Sequence, residues 1–322
     1  MEYQQLGQTQ WSLSRIGFGG LAISSFHYGQ TDDQESIQAI RRALELGVNL
    51  FDTADIYGLG HSEKILAQGL EKTRDQVFTA TKVGVRWDYQ QQKSFYDLSY
   101  DYILQAAEQS LQRLRIPTIP LYQIHYPDSA TPISQTMKAL QRLQAEHSIQ
   151  YIGCTNFSPA LLDTYQTYGR IESLQAAYNI VDQNAEHSVL PACQKWHMGF
   201  IAYSPLAQGL LTGNYSIETK FDETDRRNRS EYFTTETFEK IVPLMVRMRE
   251  IGSHYGKTPT QIALRWILDN PAVTCVIVGV TSAEQIEEAV GAADWRLSPT
   301  ERKELTTLGE KALSGMPDAA LS

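Results

Sequence analysis

Short apolar runs alternate with amphipathic segments along most of this chain. Two strand patterns near the N-terminus, at residues 3–6 and 11–16, are separated by the turn residue Gly7 and predict a β-hairpin. After the hairpin, segments with apolar residues at helical spacing are each followed by a continuous apolar run. Continuous apolar runs are typical of strands buried on both faces by helices. The pattern therefore predicts a repeated helix–strand unit.

Seven such units follow a first strand at residues 16–19. The predicted helices and the strands after them are 33–46 and 49–54, 62–71 and 77–82, 100–114 and 120–126, 132–145 and 150–155, 159–168 and 173–178, 186–196 and 200–204, and 258–268 and 273–279. Eight strands in βα units predict a closed (β/α)8 TIM barrel. An open doubly wound sheet is the competing architecture, but Gly17-Phe18-Gly19-Gly20 lacks the Gly-x-Gly-x-x-Gly spacing expected there.

Several segments lie outside the repeat. Residues 206–237, after strand seven, lack apolar periodicity and predict a long loop, and long ordered loops are usually functional. Extra helices are predicted at 238–255, after that loop, and at 282–289 and 300–308 near the C-terminus. No low-complexity linker interrupts the chain, so residues 1–322 are expected to form a single barrel domain.

Composition narrows the class of protein. Of the 322 residues, 42% are hydrophobic and 20% charged, which is typical of a soluble globular protein. The net charge of −9 disfavours nucleic acid and anionic membrane as partners. Three separated cysteines indicate neither a disulfide framework nor a structural zinc site, and the N-terminus lacks a targeting pattern. We therefore expect a cytoplasmic protein.

Four polar residues stand at or just after predicted strand ends, where TIM barrels carry their active sites. Asp52 ends strand two, Tyr57 follows it, Lys82 ends strand three and His125 ends strand four. Each residue taken alone has an ordinary structural interpretation, such as an ion pair or a satisfied core histidine. Together they form a proton-transfer set: an ammonium lowers the pKa of a neighbouring phenol, and a carboxylate keeps that ammonium charged. No nucleophile or metal cluster accompanies them, so a bound cofactor is expected to supply the chemistry at carbon.

The motifs around these residues resemble those of the aldo-keto reductases. They are Phe51-Asp52-Thr53-Ala54-Asp55-Ile56-Tyr57-Gly58, Thr81-Lys82, Ile124-His125-Tyr126-Pro127, Ile152-Gly153-Cys154-Thr155-Asn156, Gln175-Ala176-Ala177-Tyr178-Asn179, Ala202-Tyr203-Ser204-Pro205-Leu206 and Gly209-Leu210-Leu211-Thr212-Gly213. They follow one another in the family's order over nearly the whole chain, and the loop at residues 225–228 is most similar to the bacterial stress-induced branch.

The resemblance implies hydride transfer between nicotinamide C4 and a carbonyl carbon, with Asp52, Tyr57, Lys82 and His125 as the catalytic residues and Tyr57 as proton donor. It also implies a set of cofactor contacts. Those near the nicotinamide are Gly19, Gly20, Leu21, Thr155, Asn156, Gln175 and Tyr203; those near the phosphates and adenosine are Ser204, Leu206, Gly209, Leu210, Arg227, Gly279, Thr281, Gln285 and Glu288. Alternatively, Asn156 caps the next helix, although Ser158 is the better cap, and Tyr203 belongs to the core.

One departure from the family pattern bears on the cofactor. After strand eight, Thr281 stands where many members have a cation that binds the 2′-phosphate of NADP(H), and its loss favours NAD(H). A replacement charge is available on Lys220, Arg226, Arg227 or Arg229 of the long loop, and the amides at the next helix N-terminus also suit an anion. The balance narrowly favours NADP(H), with NAD(H) as the alternative.

Aromatic residues in the predicted loops above the barrel bear on the class of substrate. Phe26, Trp87 and Tyr126 predict an aromatic opening suited to a small aldehyde, ketone or sugar. The same residues are compatible with an aldose dehydrogenase working in the oxidative direction, or with a nucleotide-sensing subunit of the same fold that turns over little substrate. A metal-dependent hydrolase is disfavoured because the seven histidines include no His-x-His pair. The pattern does not define the oligomeric state.

Overall fold

The computed structural model describes residues 1–25, 29–223 and 225–312. Its strands are β1 (Tyr3–Gln5), β2 (Ser12–Ser14), β3 (Ile16–Gly19), β4 (Leu50–Asp52), β5 (Phe78–Val83), β6 (Val85–Asp88), β7 (Lys93–Tyr96), β8 (Ile119–Ile124), β9 (Ile149–Thr155), β10 (Ser173–Ala177), β11 (Gly199–Tyr203) and β12 (Cys275–Gly279). Its helices are α1 (Asp33–Glu45), α2 (His61–Leu70), α3 (Tyr100–Leu114), α4 (Ile133–Ala145), α5 (Pro159–Gln166), α6 (Asn184–His187), α7 (Val189–Lys195), α8 (Thr235–Tyr255), α9 (Pro259–Leu268), α10 (Ala283–Val290) and α11 (Pro299–Ala312).

Eight parallel strands close into a barrel in the order β3-β4-β5-β8-β9-β10-β11-β12, with β12 paired to β3. This closure confirms the predicted (β/α)8 fold. The inward-facing apolar side chains include Leu50, Phe78, Leu121 and Ile201, and they form one cluster inside the barrel. A larger apolar cluster fills the layer between the strands and the surrounding helices. Apolar residues on both faces of each strand therefore explain the continuous runs in the sequence.

The predicted N-terminal hairpin is present as the antiparallel pair β1 and β2. Leu6 and Leu13 from this hairpin are fully buried and belong to the cluster inside the barrel. Gly199 makes room for this packing, because a Cβ at that position would lie 2.2 Å from Leu6 Cδ1. The hairpin therefore packs against the interior of the barrel.

Several predicted helices have different bounds in the structure, among them α11, which spans Pro299–Ala312 where 300–308 was expected. The helix expected at 186–196 is two short helices, α6 and α7, separated at Ser188. Pro191 explains the break, because it has no N–H to donate to the His187 carbonyl four residues earlier. Helix α8 begins at Thr235, before the expected 238, because the Thr234 hydroxyl accepts a hydrogen bond from the Thr237 amide at 3.2 Å.

The regions between the predicted elements contain further structure. The expected loop at 206–237 contains three 3₁₀ turns, Ala207–Thr212, Arg226–Arg229 and Glu231–Phe233, and another spans Glu71–Gln76. The hairpin of β6 and β7 was not predicted. Within the parts of the chain that the structure covers, no helix has both the length and the apolar character needed to cross a membrane.

Candidate active site

The four candidate catalytic residues meet at the C-terminal end of the barrel. The Lys82 ammonium lies 2.5 Å from Asp52 Oδ2 and 3.4 Å from the Tyr57 hydroxyl oxygen, and it also donates to the Thr53 carbonyl at 2.9 Å. The side chains of Lys82 and Asp52 are 1% and 3% exposed. A buried charge pair of this kind survives only when additional hydrogen bonds satisfy its remaining polar atoms.

Two glutamine amides satisfy the other oxygen of Asp52. Gln175 Nε2 lies 2.8 Å from Asp52 Oδ1, and Gln123 Nε2 lies 3.2 Å from the same atom. Gln175 was predicted as a cofactor contact, whereas Gln123 was not singled out in the sequence. The signal for Gln123 was its place two residues before His125 in a strand, which puts both side chains on the same face.

His125 lies beside Tyr57 and is held in the neutral form. Burial, together with the nearby Lys82 charge, holds the pKa of His125 well below its usual range. The Tyr57 and His125 rings meet edge to face with centroids 5.6 Å apart. Among the described residues, His125 Nδ1 has no hydrogen-bond partner. A neutral imidazole beside a phenol is suited to orient a polar substrate atom.

A cavity of about 640 Å³ opens above these residues. The predicted site residues that line it are Asp52, Tyr57, His125, Gly19, Leu21, Thr155, Asn156, Gln175, Tyr203, Ser204, Leu206, Gly209, Arg227, Gly279, Thr281, Gln285, Glu288, Trp87 and Tyr126. Lys82 is buried below the cavity floor and reaches the site through its contacts with Asp52 and Tyr57. The predicted residue Phe26 is outside the described residues.

Gly20 and Leu210 do not line this cavity, and their predicted contacts with a cofactor stay a prediction. The Gly20 amide donates to the Asp52 carbonyl at 2.7 Å, and a Cβ on Gly20 would point to the Ser62 hydroxyl at 2.6 Å. Leu210 is 3% exposed and packs in the large apolar cluster. Both residues support the wall from behind.

The wall next to His125 is a hydrogen-bonded group. Tyr203 donates its hydroxyl to Asn156 Oδ1 at 2.9 Å, and Asn156 Nδ2 lies 3.2 Å from the His125 carbonyl. Asn156 has a positive φ of 61°, which turns the chain sharply at the end of β9. Ser158, not Asn156, caps helix α5 by accepting from the Leu161 amide. Asn156 is therefore free of the capping role that was its alternative interpretation.

Three stacked aromatic rings line another part of the cavity. The Tyr126 ring stacks on His125 with centroids 5.2 Å apart and on Tyr96 at 5.3 Å. Tyr96 and Trp87 come from the unpredicted β6–β7 hairpin, and both line the cavity. The hairpin therefore extends the aromatic surface from His125 toward solvent.

The far end of the cavity carries polar but few cationic groups. The Thr281 amide donates to Gln285 Oε1 at 2.8 Å, and Glu288 lines the cavity one turn further along α10. Arg227 is paired with Asp225 at 2.6 Å and donates to the Tyr215 hydroxyl at 2.7 Å. Arg226 also lines the cavity, whereas Lys220 and Arg229 do not. The positive charge of Arg227 is thus largely compensated within its own loop.

A buried acid lies close to the site without lining the cavity. Burial and the nearby Glu63 carboxylate raise the pKa of Asp55 to about 8. Tyr102 donates to Asp55 Oδ2 at 3.4 Å, while Asp55 Oδ1 is buried with no partner among the described residues. Such a carboxyl group is protonated at neutral pH.

Comparisons with known proteins place these features in a family context. The model of the Aldo/keto reductase family matches residues 15–310. Aldo-keto reductase YhdN of Bacillus subtilis (strain 168) is 34% identical over 317 residues, which cover 98% of this chain and 95% of that protein. The NADH-specific methylglyoxal reductase of Escherichia coli (strain K12) is 33% identical over 319 residues, 95% of this chain and 97% of that protein. The solved structure of a glycerol dehydrogenase from Gluconobacter oxydans is similar with a TM-score of 0.89 at 32% identity, covering 98% of this chain and 97% of that one.

Proposed function

Because the chain belongs to the aldo/keto reductase family of oxidoreductases, we propose that it reduces a carbonyl carbon with Tyr57 as the general acid. In the reverse direction, Tyr57 would serve as the general base. One observation carries this proposal: the Lys82 ammonium lies between the Asp52 carboxylate and the Tyr57 hydroxyl, beneath a cavity large enough for a ligand. The substrate is proposed to be an aldehyde, a ketone or an aldose.

The roles of the four residues follow from their charges. Tyr57 gives its proton to the substrate oxygen, and the adjacent Lys82 ammonium stabilises the phenolate that remains. Asp52 holds that ammonium in place and compensates its burial. Neutral His125 keeps a ring nitrogen available to orient the substrate oxygen beside Tyr57.

The cavity also fits a dinucleotide. A bound nicotinamide dinucleotide supplies the hydride in this chemistry. Gly279 and Gly209 form part of the wall, and a Cβ at Gly279 would lie 3.3 Å from Ala22 Cβ, so the absence of side chains here leaves space for a ligand. Gln208 Oε1 is buried on the same wall with no partner among the described residues and is available to a ligand donor. Asn156, Gln175 and Tyr203 would hold the nicotinamide end.

We propose that the protein uses NAD(H) at least as readily as NADP(H). The Thr281 amide is already bonded to Gln285, and the Glu288 carboxylate on the same wall would repel a 2′-phosphate. Arg227, which supported NADP(H) in the sequence, is neutralised by Asp225. The relative from Escherichia coli is named as NADH-specific. Arg226 also lines the cavity and leaves a cation for a 2′-phosphate, so these observations reduce the support for NADP(H) without removing it.

Substitutions at this end of the cavity test the cofactor proposal. Thr281→Arg adds a cation, and Glu288→Gln removes an anion without changing shape. We expect both to tighten NADPH more than NADH, by about tenfold or more for Thr281→Arg, because a charge-assisted contact to phosphate is worth about 1.5–3 kcal/mol. Fluorescence titration of each variant with both dinucleotides measures this. Equal changes for the two would mean that the 2′ group binds elsewhere.

The cavity favours a small oxygenated substrate with an apolar face. Tyr126, Tyr96 and Trp87 supply the aromatic side, and His125 with Tyr57 supplies the polar end. Two relatives are named for methylglyoxal and glycerol, which are both three-carbon oxygenated compounds. The three cysteines are free thiols, which supports the proposal of a cytoplasmic location. We also propose that residues 1–322 form a single domain.

Turnover of the Tyr57→Phe variant tests the function directly. With NADH or NADPH and a panel of aldehydes, we expect kcat to fall by about 10²–10⁴, the usual contribution of general acid catalysis. Tyr102→Phe is the matched control, because it removes a phenol outside the cavity whose hydroxyl, among the described residues, donates to Asp55, and it should keep nearly full activity. If the native protein and Tyr57→Phe show equal, negligible turnover, the enzyme proposal fails and nucleotide sensing is favoured.

A further inference from the structure

Gln123 connects the centre of a barrel strand to the catalytic charge pair. Its side chain is fully buried, and it does not line the cavity. Its Nε2 donates to Asp52 Oδ1, the carboxylate oxygen that does not face Lys82. Gln175 donates to the same oxygen from the other side, and its Nε2 also lies 3.5 Å from Gln123 Oε1. Among the described residues, the Gln123 side chain is hydrogen-bonded to Asp52 and Gln175, and it does not itself line the cavity.

The strand register explains why a glutamine fits inside the barrel at this point. Gln123 pairs with Lys82 on β5 and with Gly153 on β9. A Cβ at Gly153 would lie 3.0 Å from Gln123 Cγ and 2.7 Å from the Ser173 hydroxyl. The missing side chain at Gly153 thus leaves the space that the Gln123 side chain occupies. The adjacent Lys82 and the adjacent gap together aim the amide at Asp52.

The amide bonds control how the Lys82 charge is shared. If Asp52 accepted no other hydrogen bond, its full negative charge would offset the positive potential that the Lys82 ammonium produces at nearby atoms. Each N–H bond to Oδ1 reduces the negative potential of Asp52, so a larger part of the Lys82 field acts on the Tyr57 oxygen 3.4 Å away. Because the pair is almost fully buried, solvent does little to screen this effect.

We propose that Gln123 is a positioning residue that sets how strongly the Lys82 charge stabilises the Tyr57 phenolate. The proposal rests on the proposed function, since it concerns the same proton donor. Gln175 shares the bond to Asp52 but also lines the cavity, so its variants would change ligand contacts as well. Gln123 offers the cleaner test.

The other titratable groups around Asp52 and Lys82 determine which proton a pH profile of kcat can report. Burial with the Lys82 charge lowers the pKa of His125 far below neutrality, and burial raises the pKa values of Tyr126, Tyr203 and Cys275. An alkaline midpoint in the pH profile of kcat is therefore expected to report on the Tyr57 phenol together with the Lys82 ammonium to which it is hydrogen-bonded.

The Gln123→Met variant keeps the length of the side chain and removes the amide donor. We expect the alkaline midpoint of kcat to move upward by about half a pH unit or more, and kcat at pH 7 to fall by roughly threefold to tenfold, with KM changed less than about twofold. Thr79→Val is the matched control, since it changes a buried barrel residue on β5 that faces the opposite side of the strand from Lys82. Its pH midpoint should stay at the native value.

The Gln123→Glu variant distinguishes positioning from simple packing and serves also if Gln123→Met does not fold. Two facing carboxyl groups share a proton, and the protonated glutamic acid can donate to Asp52 as the amide does. We expect near-native kcat at acidic pH and a loss greater than that of Gln123→Met once this proton is released, which adds a new step to the pH profile. A native midpoint in Gln123→Met, or uniformly lowered kcat without a new step in Gln123→Glu, would overturn the proposal. Absence of turnover in the native protein would instead refute the proposed function.

Discussion

Replacing Asp52 and replacing Lys82 should lower the free energy of unfolding by different amounts. The nitrogen and oxygen lie 2.5 Å apart with side chains 1% and 3% exposed. Removing one partner of a buried ion pair costs about 3–5 kcal/mol, because the other charge is left without compensation. Both Lys82→Met and Asp52→Asn are therefore expected to destabilise the fold, and their remaining contacts decide which costs more.

The remaining contacts predict that Lys82→Met is less destabilising than Asp52→Asn. In Lys82→Met, the Asp52 carboxylate keeps the amides of Gln123 and Gln175 at 3.2 and 2.8 Å. In Asp52→Asn, a single oxygen must serve either Lys82 or the two glutamines, and the new NH₂ group faces donors on the other side. We expect a cost near 3 kcal/mol for Lys82→Met and about 5 kcal/mol for Asp52→Asn.

Urea unfolding of the native protein, both single variants and the double variant at pH 7 measures these costs. The double variant removes both charges, so its cost should fall short of the sum of the single costs by about 2 kcal/mol or more. Its kcat should nevertheless stay as low as that of Lys82→Met, because in both of these variants Tyr57 has lost the ammonium. Additive costs within about 0.5 kcal/mol would refute the view that the two charges compensate each other.

Three further changes test separate parts of the structure. Asp55→Asn should gain stability over the native protein as pH rises from 5 to 8, by roughly 3–4 kcal/mol in thermal unfolding, because the Asp55 carboxyl has a pKa of about 8 in the folded protein and near 4 in the unfolded chain, where it ionises and favours unfolding. A pH-independent difference would contradict this. Tyr96→Ala should raise KM for aryl aldehydes by about twofold to tenfold, the worth of one stacking contact, with little change for formaldehyde; equal changes for both would exclude stacking. Ser158→Ala should cost about 1 kcal/mol in urea unfolding through the loss of the α5 cap, while Asn156→Ala leaves that cap intact.

The barrel was predictable because its strands are buried on both faces. Strand β12, for example, has the apolar sequence Cys-Val-Ile-Val-Gly, and the number of such largely apolar segments alone indicated closure. Asp52, Lys82 and His125 were recognisable as polar residues at the ends of such runs. The same signal was present for Gln123, but a single glutamine within an apolar strand has no chemistry until its contact with Asp52 is known.

The β6–β7 hairpin was not predicted because strand β7 is not buried and leaves no hydrophobic pattern in the sequence. All four residues of β7 are exposed, so the strand shows no alternation of buried and exposed positions. Its ladder with β6, together with the Arg86–Asp97 ion pair at 2.6 Å, holds it in place. Patterns of hydrophobicity report on burial, and a strand held mainly by backbone hydrogen bonds falls outside them. The aromatic wall was therefore only partly predictable.

Strand register links the fold to the chemistry in this barrel. Along β5 the inward-facing residues are Phe78, Ala80 and Lys82, and along β8 they pass from Leu121 to Gln123. Polar groups thus sit one layer above an apolar interior, where low dielectric strengthens their interaction. A slip of one residue in β5 would place Thr81 or Val83 inward and turn the ammonium outward. The apolar layer therefore acts on catalysis, because its packing sets the register that brings Lys82 between Asp52 and Tyr57.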